Sequence, residues 1–162
     1  MLSHLFAKPA EGNRCIRRNR FLLSTLVMAL LPLALPAGAA PAECPQPRFT
    51  GKAPEEYYTR VNPLIAAKAS PKPGEAIFQG EAGPSNCVIC HGPKGDGKGI
   101  LASQYDPPPR NFACAMTING VPDGQLFWII RFGSPGTAMP PHPALKDEQI
   151  WQVVLYLRQL SK

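Results

Sequence analysis

Two cysteines stand three positions apart in the run Cys87-Val88-Ile89-Cys90-His91, and a histidine follows the second cysteine directly. Three chemistries use such a pair: a redox dithiol, half of a zinc site, or the covalent attachment of haem. Each requires a different fold around the pair, namely a βαβ unit, a second set of ligands, or helices that enclose a large apolar ring. The rest of the chain must distinguish between them.

The first 39 residues have the composition of a secretory signal peptide. A basic stretch at 14–20 precedes an apolar run at 21–36 that two prolines interrupt, and small residues follow at 37–39. We predict cleavage after Ala39, with Ala40 as the neighbouring alternative. An uncleaved membrane anchor is the rival interpretation, but a spanning helix needs about 20 apolar residues and this run is shorter. The sequence therefore predicts a periplasmic protein without stable membrane insertion after cleavage.

Most of the basic excess belongs to this leader. The chain has 17 Lys+Arg and 11 Asp+Glu, of which the first 39 residues hold five and one. The mature chain is therefore close to neutral, with 12 basic and 10 acidic side chains. A nucleic-acid-binding protein is expected to carry a strongly basic surface, so we predict no nucleic-acid partner.

The surroundings of the cysteine pair favour haem. A thioredoxin-like dithiol requires a strand before it, whereas "GEAIFQGEAGPSN" precedes this one and "GPKGDGKG" follows it. A zinc site usually has two ligand pairs, but Cys44 and Cys114 are solitary and the mature chain has only two histidines. In the haem interpretation, Cys87 and Cys90 bond to the two vinyl groups and His91 lies under the iron.

A second iron ligand is the test of this interpretation. Met139 lies 48 residues after His91 in "GSPGTAMPPHP", a loop that can bend towards a flat ring. A methionine and histidine pair raises the reduction potential of haem iron. His142 is the competing ligand, and a gap-filling role in the core is the alternative for Met139. Met116 is expected to pack in the core.

The motif "CVICHGPKGDGKG" and the downstream "GTAMPPHPALKDEQIWQVVLYLRQL" together resemble class I c-type cytochromes of bacterial periplasms. The resemblance covers about residues 74–160 and implies a small, loop-rich, all-α domain wrapped around one covalently attached haem c with its iron. We therefore expect a signal peptide at 1–39, an N-terminal extension at 40–73 and a haem domain at 74–162. The expected haem ligands are Cys87, Cys90, His91 and Met139.

The function implied by the resemblance is single-electron transfer between periplasmic redox proteins or membrane-bound oxidoreductases, without catalysis by the chain itself. A cytochrome subunit of a dehydrogenase or oxidase complex is the alternative, with residues 40–73 as a docking arm. A haem-based gas sensor, in which Met139 leaves the iron, is a third possibility. The expected partner surface is a local patch of Lys94, Lys98 and Arg110.

Apolar periodicity predicts the main helices. In "KDEQIWQVVLYLRQL" five apolar residues follow helical spacing, with Asp147 as the expected cap: Ile150, Val153, Val154, Leu157 and Leu160. A second helix is expected in "VPDGQLFWIIRFG", ending at Gly133, and a short one in "PGEAIFQGE" with Ile77 and Phe78 packed on the terminal helix. Another is expected to run from Glu55 to Asn62, before Pro63.

Several polar roles are also predicted. A backbone carbonyl of Pro107, Pro108 or Pro109 is expected to accept the proton of the outer His91 nitrogen, which would orient that ring. Arg110, Asn111, Trp128 and Arg131 are candidates for contacts with the haem propionates. Cys44 and Cys114 are expected to form a disulfide in an oxidising compartment, with unpaired or intermolecular thiols as the alternative.

Overall fold

The computed structural model describes residues 44–47 and 50–162, and all regular structure in that part of the chain is helical. The predicted leader, residues 1–39, lies outside the described residues, as do 40–43, 48 and 49. The all-α fold class is confirmed. The helices are α1 Glu55–Tyr58, α2 Pro63–Ala66, α3 Lys72–Gln79, α4 Val88–His91, α5 Ala115–Ile118, α6 Asp123–Phe132 and α7 Asp147–Leu160, with a 3₁₀ turn at Ala102–Gln104.

Helix α7 is the centre of the packing. Its predicted stripe is buried at Ile150, Val153, Val154 and Leu157, while Leu160 at its end is only partly buried. Burying an aliphatic side chain of this size stabilises a fold by about 1.5–3 kcal/mol, so this stripe fixes where α7 lies. Trp151 and Tyr156 are also buried and widen the apolar face.

Helix α3 crosses α7 at very short range. Ile77 and Phe78 are buried against the apolar face of α7, as predicted, and the Phe78 and Tyr156 rings lie 5.4 Å apart between centroids. At Gly74 an added Cβ would lie 1.9 Å from the carbonyl oxygen of Gln152. Only a residue without a side chain allows the two backbones to approach this closely.

The start of α7 differs from the prediction. Asp147 is not the cap: Lys146 precedes the helix, and its N–H donates to Oε1 of Gln149, 2.8 Å away. Because the Gln149 side chain already bonds the backbone before the helix, Asp147 can occupy the first turn. There its carboxylate complements the positive helix end and pairs with the guanidinium of Arg131.

Helix α6 has the predicted ends and packs beside α7. Pro122 precedes it, and Gly133 ends it with a φ of 82°. The Phe127 and Trp151 rings, one from each helix, lie 4.4 Å apart between centroids. Arg158 of α7 donates to Asp123 at the start of α6, at 2.8 Å, which fixes the mutual position of the two helices.

The predicted helix from Glu55 to Asn62 was wrong. Helix α1 ends at Tyr58, and α2 begins at Pro63, with the Asn62 side chain accepting from the N–H of Leu64 at 3.0 Å. Proline suits the first turn of a helix because its missing N–H would have no partner there. Asn62 is also buried and donates to the Trp151 carbonyl of α7 at 2.8 Å, so its position is set by tertiary contacts.

A disulfide joins the first described residues to the helical part of the chain. Cys44 pairs with Cys114, as expected from the sequence, with 5.7 Å between their Cα atoms. Further along, the fully buried side chain of Gln125 in α6 accepts from the N–H of Ala53 at 2.7 Å and donates to the Gly51 carbonyl at 3.1 Å. We call residues 44–47 and 50–53 the N-terminal strap, since both ends are bonded to the helical domain.

The close approach of α3 and α7 leads to a testable prediction. Gly74→Ala should lower the free energy of unfolding by about 1–3 kcal/mol, because the two backbones must separate to accept the methyl group. This cost exceeds the gain of about 1 kcal/mol in helix propensity when alanine replaces glycine. Urea titration followed by circular dichroism measures the change.

Gly120→Ala is the matched control, since nothing lies within 4 Å of an added Cβ there. It should change the free energy of unfolding by less than about 0.5 kcal/mol, as exposed substitutions usually do. Equal stability of the Gly74→Ala variant and the original chain would contradict the described crossing of α3 and α7.

Candidate functional site

The four predicted haem ligands meet at one cavity. Cys87, Cys90, His91 and Met139 all line a space of about 870 Å³, although Met139 is 48 residues from His91 in sequence. This volume is near the upper end of the range of about 300–1,000 Å³ that is usual for ligand pockets. Other lining side chains are largely apolar, with Phe78, Leu126, Ile130 and Leu157 among them.

Helix α4 places the cysteines and the histidine at the cavity wall. It is a single turn in which the N–H of His91 donates to the Cys87 carbonyl at 2.9 Å. Neither Cys87 nor Cys90 forms a disulfide in the described part of the chain. Burial and the neighbouring Cys90 raise the pKa of Cys87 to about 11. A redox dithiol instead requires a thiol with a lowered pKa, so this environment disfavours that alternative.

His91 is buried and oriented through one hydrogen bond. Its Nδ1 lies 3.0 Å from the carbonyl oxygen of Arg110, and the Phe112 ring is 4.7 Å away between centroids. The predicted partners Pro107, Pro108 and Pro109 were wrong: the accepting carbonyl is one residue later. Since a carbonyl can only accept, Nδ1 carries the proton and Nε2 has a free lone pair.

The protonation state of His91 suits metal binding. Burial lowers its pKa to about 4, despite the opposing effect of the hydrogen bond to Arg110. The imidazole is therefore neutral at physiological pH, and a neutral imidazole is the form that ligates a metal. No proton has to be displaced from Nε2 before a bond to iron can form.

The loop that carries Met139 is held by hydrogen bonds at its base. The Ser134 N–H donates to the Met139 carbonyl at 3.1 Å, and the Met139 N–H donates to Oγ1 of Thr137 at 3.2 Å. The Thr137 hydroxyl in turn donates to the Ser134 carbonyl at 2.8 Å. The Met139 side chain is partly buried and packs against the apolar core. These bonds hold its backbone at the wall of the cavity.

His142, the competing ligand, also lines the cavity but is engaged elsewhere. Its Nδ1 is 3.1 Å from Oγ of Ser85, and its backbone N–H donates to Ile130 of α6 at 3.1 Å. Partial burial lowers its pKa, so this ring is also neutral near pH 7. The hydrogen bond with Ser85 explains the position of His142 without a bond to iron.

The cavity fits a large apolar group with a polar edge. Its wall is mainly apolar, and one of the lining groups, the buried Oγ of Ser134, has no hydrogen-bond partner among the described residues. Buried hydroxyls usually have a partner, so this one suggests that a polar group of the occupant reaches it. Haem has this character, with an apolar ring and carboxylates on one edge, and the residues present fit it.

The predicted propionate contacts are only partly supported. Arg110 lines the cavity, and its Nη1 donates to the Pro47 carbonyl at 3.1 Å. Asn111, Trp128 and Arg131 are not among the lining residues. Arg131 instead donates to the Pro143 and Leu145 carbonyls near the start of α7.

Met116, expected in the core, is 70% exposed. It follows Cys114 in the one-turn helix α5, and only Thr117 and Ile118 of that helix are buried. The side of α5 that packs against the domain carries Thr117 and Ile118, and Met116 is not on it. Met116 lines a smaller cavity of about 210 Å³ beside the main one and is not among the residues that line the main cavity.

Three lining residues of the N-terminal strap were missed by the sequence analysis: Gln46, Pro47 and Thr50. They precede the region that resembles known cytochromes, so neither the motif nor apolar periodicity points to them. The only signal was Cys44, whose pairing with Cys114 brings the strap to the loop after the haem motif.

The zinc alternative finds no support in the part of the chain that the structure describes. There, no three His, Cys, Asp or Glu side chains come together in a way that could hold a metal ion. The disulfide also occupies Cys44 and Cys114, the two thiols that a scattered zinc site would have needed.

Among the described helices, none is long and apolar enough to span a membrane.

Fold and site together define a helical protein with a mainly apolar cavity large enough for a prosthetic group. The model of the Cytochrome c family matches residues 71–161, more than half of the chain, and the chain belongs to this family. It is therefore a c-type cytochrome, a family that implies a covalently bound haem c with its iron. No curated protein matches the chain.

One solved structure similar to the chain belongs to a reducing HAO-like protein complex of Kuenenia stuttgartiensis. It shares 25% sequence identity with a TM-score of 0.48, and the match covers 57% of this chain and 44% of the other. The chain thus spans less than half the length of that protein. A likeness of this extent is not evidence for a shared role.

The apolar cavity predicts that the polypeptide depends on its prosthetic group. A chain with both Cys87→Ala and Cys90→Ala should show lower helicity by far-ultraviolet circular dichroism than the haem-loaded chain, because protein cores tolerate few large voids. The Cys44–Cys114 disulfide is retained in this variant. Full native helicity without haem would contradict the prediction.

Proposed function

We propose that this cytochrome carries one haem per chain and transfers single electrons as a soluble periplasmic carrier. The proposed attachments are thioether bonds from Cys87 and Cys90, and the proposed axial ligands are His91 and Met139. The observation that supports this most strongly is that all four residues line one apolar cavity. The sequence contains one Cys-x-x-Cys-His motif, which supports a single haem.

When bound, the haem iron supplies a centre that changes by one electron between its ferrous and ferric states. The chain provides the conditions for this change. His91 offers a neutral imidazole whose outer N–H is bonded to Arg110. Met139 offers a thioether, which favours the ferrous state and raises the reduction potential. The apolar wall excludes water, so little solvent has to reorganise around the charge.

The cysteine edge is the proposed site of electron exchange. Two aliphatic side chains near it are exposed: Ile89, between the cysteines, and Ile100, which is 84% exposed. The Ile89 carbonyl accepts from Leu101 at 3.0 Å, so these two segments lie together. Lys94 and Lys98 on the intervening loop are exposed as well. Apolar groups with a charged rim suit brief contact with an acidic redox partner.

The alternative role as a subunit of a larger oxidoreductase is less well supported. That hypothesis used residues 40–73 as a docking arm. In the described part of this extension, Cys44 is bonded to Cys114, Ala53 is bonded to Gln125, and Asn62 is bonded to α7. A segment held at three points is not available as a free arm. Co-purification with a large partner would nevertheless favour the alternative.

We propose a carrier and not a catalyst or gas sensor. A catalyst would need a general base in the cavity; His142 lines the cavity, but its Nδ1 lies 3.1 Å from Oγ of Ser85. The hydrogen-bonded base of the Met139 loop also favours a ligand that remains in place. Rapid carbon monoxide binding to the reduced protein at neutral pH would support the sensor, whereas absence of binding supports the carrier.

The axial ligand can be tested by substitution. Met139→Ala should remove the weak sulfur-to-iron absorption band of the oxidised protein, allow carbon monoxide to bind the reduced protein, and lower the reduction potential, because the thioether that favours ferrous iron is lost. Visible absorption spectra of the oxidised and the reduced, carbon monoxide-treated protein give the first two results, and a redox titration gives the third.

Met116→Ala and His142→Ala are the matched controls. Met116 is exposed and does not line the main cavity, while His142 lines it and is the competing ligand. Both variants should keep the sulfur-to-iron band. If Met139→Ala retained the band and either control lost it, the assignment of the second axial ligand would be wrong.

A further inference from the structure

We propose that Gln46, in the N-terminal strap, is a positioning residue for the proximal side of the haem. Gln46 bonds the backbone before and after Arg110 and thereby holds the Arg110 carbonyl, which accepts the N–H of His91. By keeping this hydrogen bond in place, Gln46 lowers the reduction potential of the iron. This inference rests on the proposed function, in which His91 is an iron ligand. It concerns a segment that precedes the residues matched by the family model.

The side-chain amide of Gln46 bridges the two peptide groups that flank Arg110. Its Nε2 donates to the Pro109 carbonyl at 3.2 Å, and its Oε1 accepts from the Asn111 N–H at 2.6 Å. One planar amide thus bonds the chain before and after Arg110. Two bonds to a rigid group resist both rotation and displacement of the enclosed segment, which a single bond would not.

A glycine also packs closely against this segment. At Gly97 an ideal Cβ would lie 2.6 Å from the Pro109 carbonyl oxygen and 3.5 Å from the carbonyl carbon of Arg110. Nearby, the Phe112 N–H donates to the Gly95 carbonyl at 2.6 Å. The Arg110 backbone is therefore held between the glycine-rich loop after the haem motif and the strap.

Gln46 is itself fixed in place. Its backbone N–H donates to Oγ1 of Thr117 at 3.0 Å, and the Arg110 side chain donates to the next carbonyl, that of Pro47. Two residues before Gln46, Cys44 is covalently bonded to Cys114. The strap is thus anchored beside the loop by a disulfide, by a hydrogen bond that Gln46 donates and by one that Pro47 accepts. The Gln46 amide is therefore held in position beside Arg110.

The consequence for the iron follows from the bond between His91 and Arg110. A short, well-directed bond from Nδ1–H to a carbonyl increases the basicity of the imidazole. A more basic imidazole donates more charge and favours the ferric state, which lowers the reduction potential. If the Arg110 carbonyl can move, its hydrogen bond to His91 is weaker on average. The ferrous state is then more stable relative to the ferric state, and the reduction potential rises.

The test uses the haem-loaded, full-length protein with Gln46→Met, a substitution that keeps the length of the side chain but removes both hydrogen bonds. At a fixed ambient potential the ferrous-to-ferric ratio should rise about threefold, less than the tenfold or greater effects of losing a direct partner of a metal ligand. This corresponds to a rise of about 30 mV for a one-electron couple at 59 mV per tenfold change.

A second readout concerns His91 alone. In the ferrous, diamagnetic protein, the Nδ1–H proton of His91 should exchange with solvent faster in Gln46→Met than in the original chain, as measured by nuclear magnetic resonance. A purely structural effect on global stability is not expected to change both this exchange and the potential while the absorption spectrum retains both axial ligands.

Gln125→Met is the matched control. Gln125 is the other glutamine that bridges the strap to the helical domain, but it bonds Gly51 and Ala53 and does not line the haem cavity. It should lower stability without raising the potential. If Gln125→Met raised the potential as much as Gln46→Met, general loosening of the strap would explain the effect and the proposal would be overturned.

Should Gln46→Met fail to incorporate haem, Thr117→Val provides the test, because it removes only the anchor of the Gln46 backbone. It should shift the potential in the same direction by a smaller amount, and an unchanged potential would overturn the proposal. A protein with the expected histidine and methionine spectrum but no response to either variant refutes this inference alone. If no haem is attached to the original chain, the proposed function fails as well.

Discussion

The hydrogen bond between Nδ1 of His91 and the carbonyl of Arg110 is the interaction on which the arrangement of the site depends. It fixes the tautomer, so that Nε2 is available for iron, and it connects the haem motif to the loop that follows. Burial keeps the imidazole neutral. The strap and the glycine-rich loop both contact the backbone beside the accepting carbonyl.

The helices serve mainly to position loops around a cavity. Among the described helices only α3, α6 and α7 are longer than one turn, and the crossing of α3 and α7 depends on the close contact of Gly74 with Gln152. Much of the wall comes instead from irregular segments, including the proline-rich stretch 107–109 and the Met139 loop. A chain of this kind has a small apolar core of its own, and a large apolar ring completes it. This explains how 17 prolines after residue 39 are compatible with a stable domain.

The predictable parts of the fold were those governed by local patterns. The apolar spacing of α7, the end of α6 at Gly133 and the buried pair in α3 all follow from residues within one helix. The predictions that failed depended on neighbours distant in sequence. Asn62 precedes α2 and its side chain also reaches Trp151, while Arg131 bonds carbonyls before α7 and does not line the cavity. Met116 is exposed because α5 has only one packed side.

The sequence by itself determined the chemistry of the site. The order of two cysteines and a histidine, with a methionine loop further on, specifies haem chemistry because each residue type has one role there, and the family match agrees. The tertiary structure decided which backbone carbonyl meets His91 and which segment supports it. The Pro109 carbonyl accepts from Gln46 and the Arg110 carbonyl meets His91, and no local pattern encodes which of the two does so. The part played by Gln46 depends on contacts across more than 60 residues, which only the folded chain brings together.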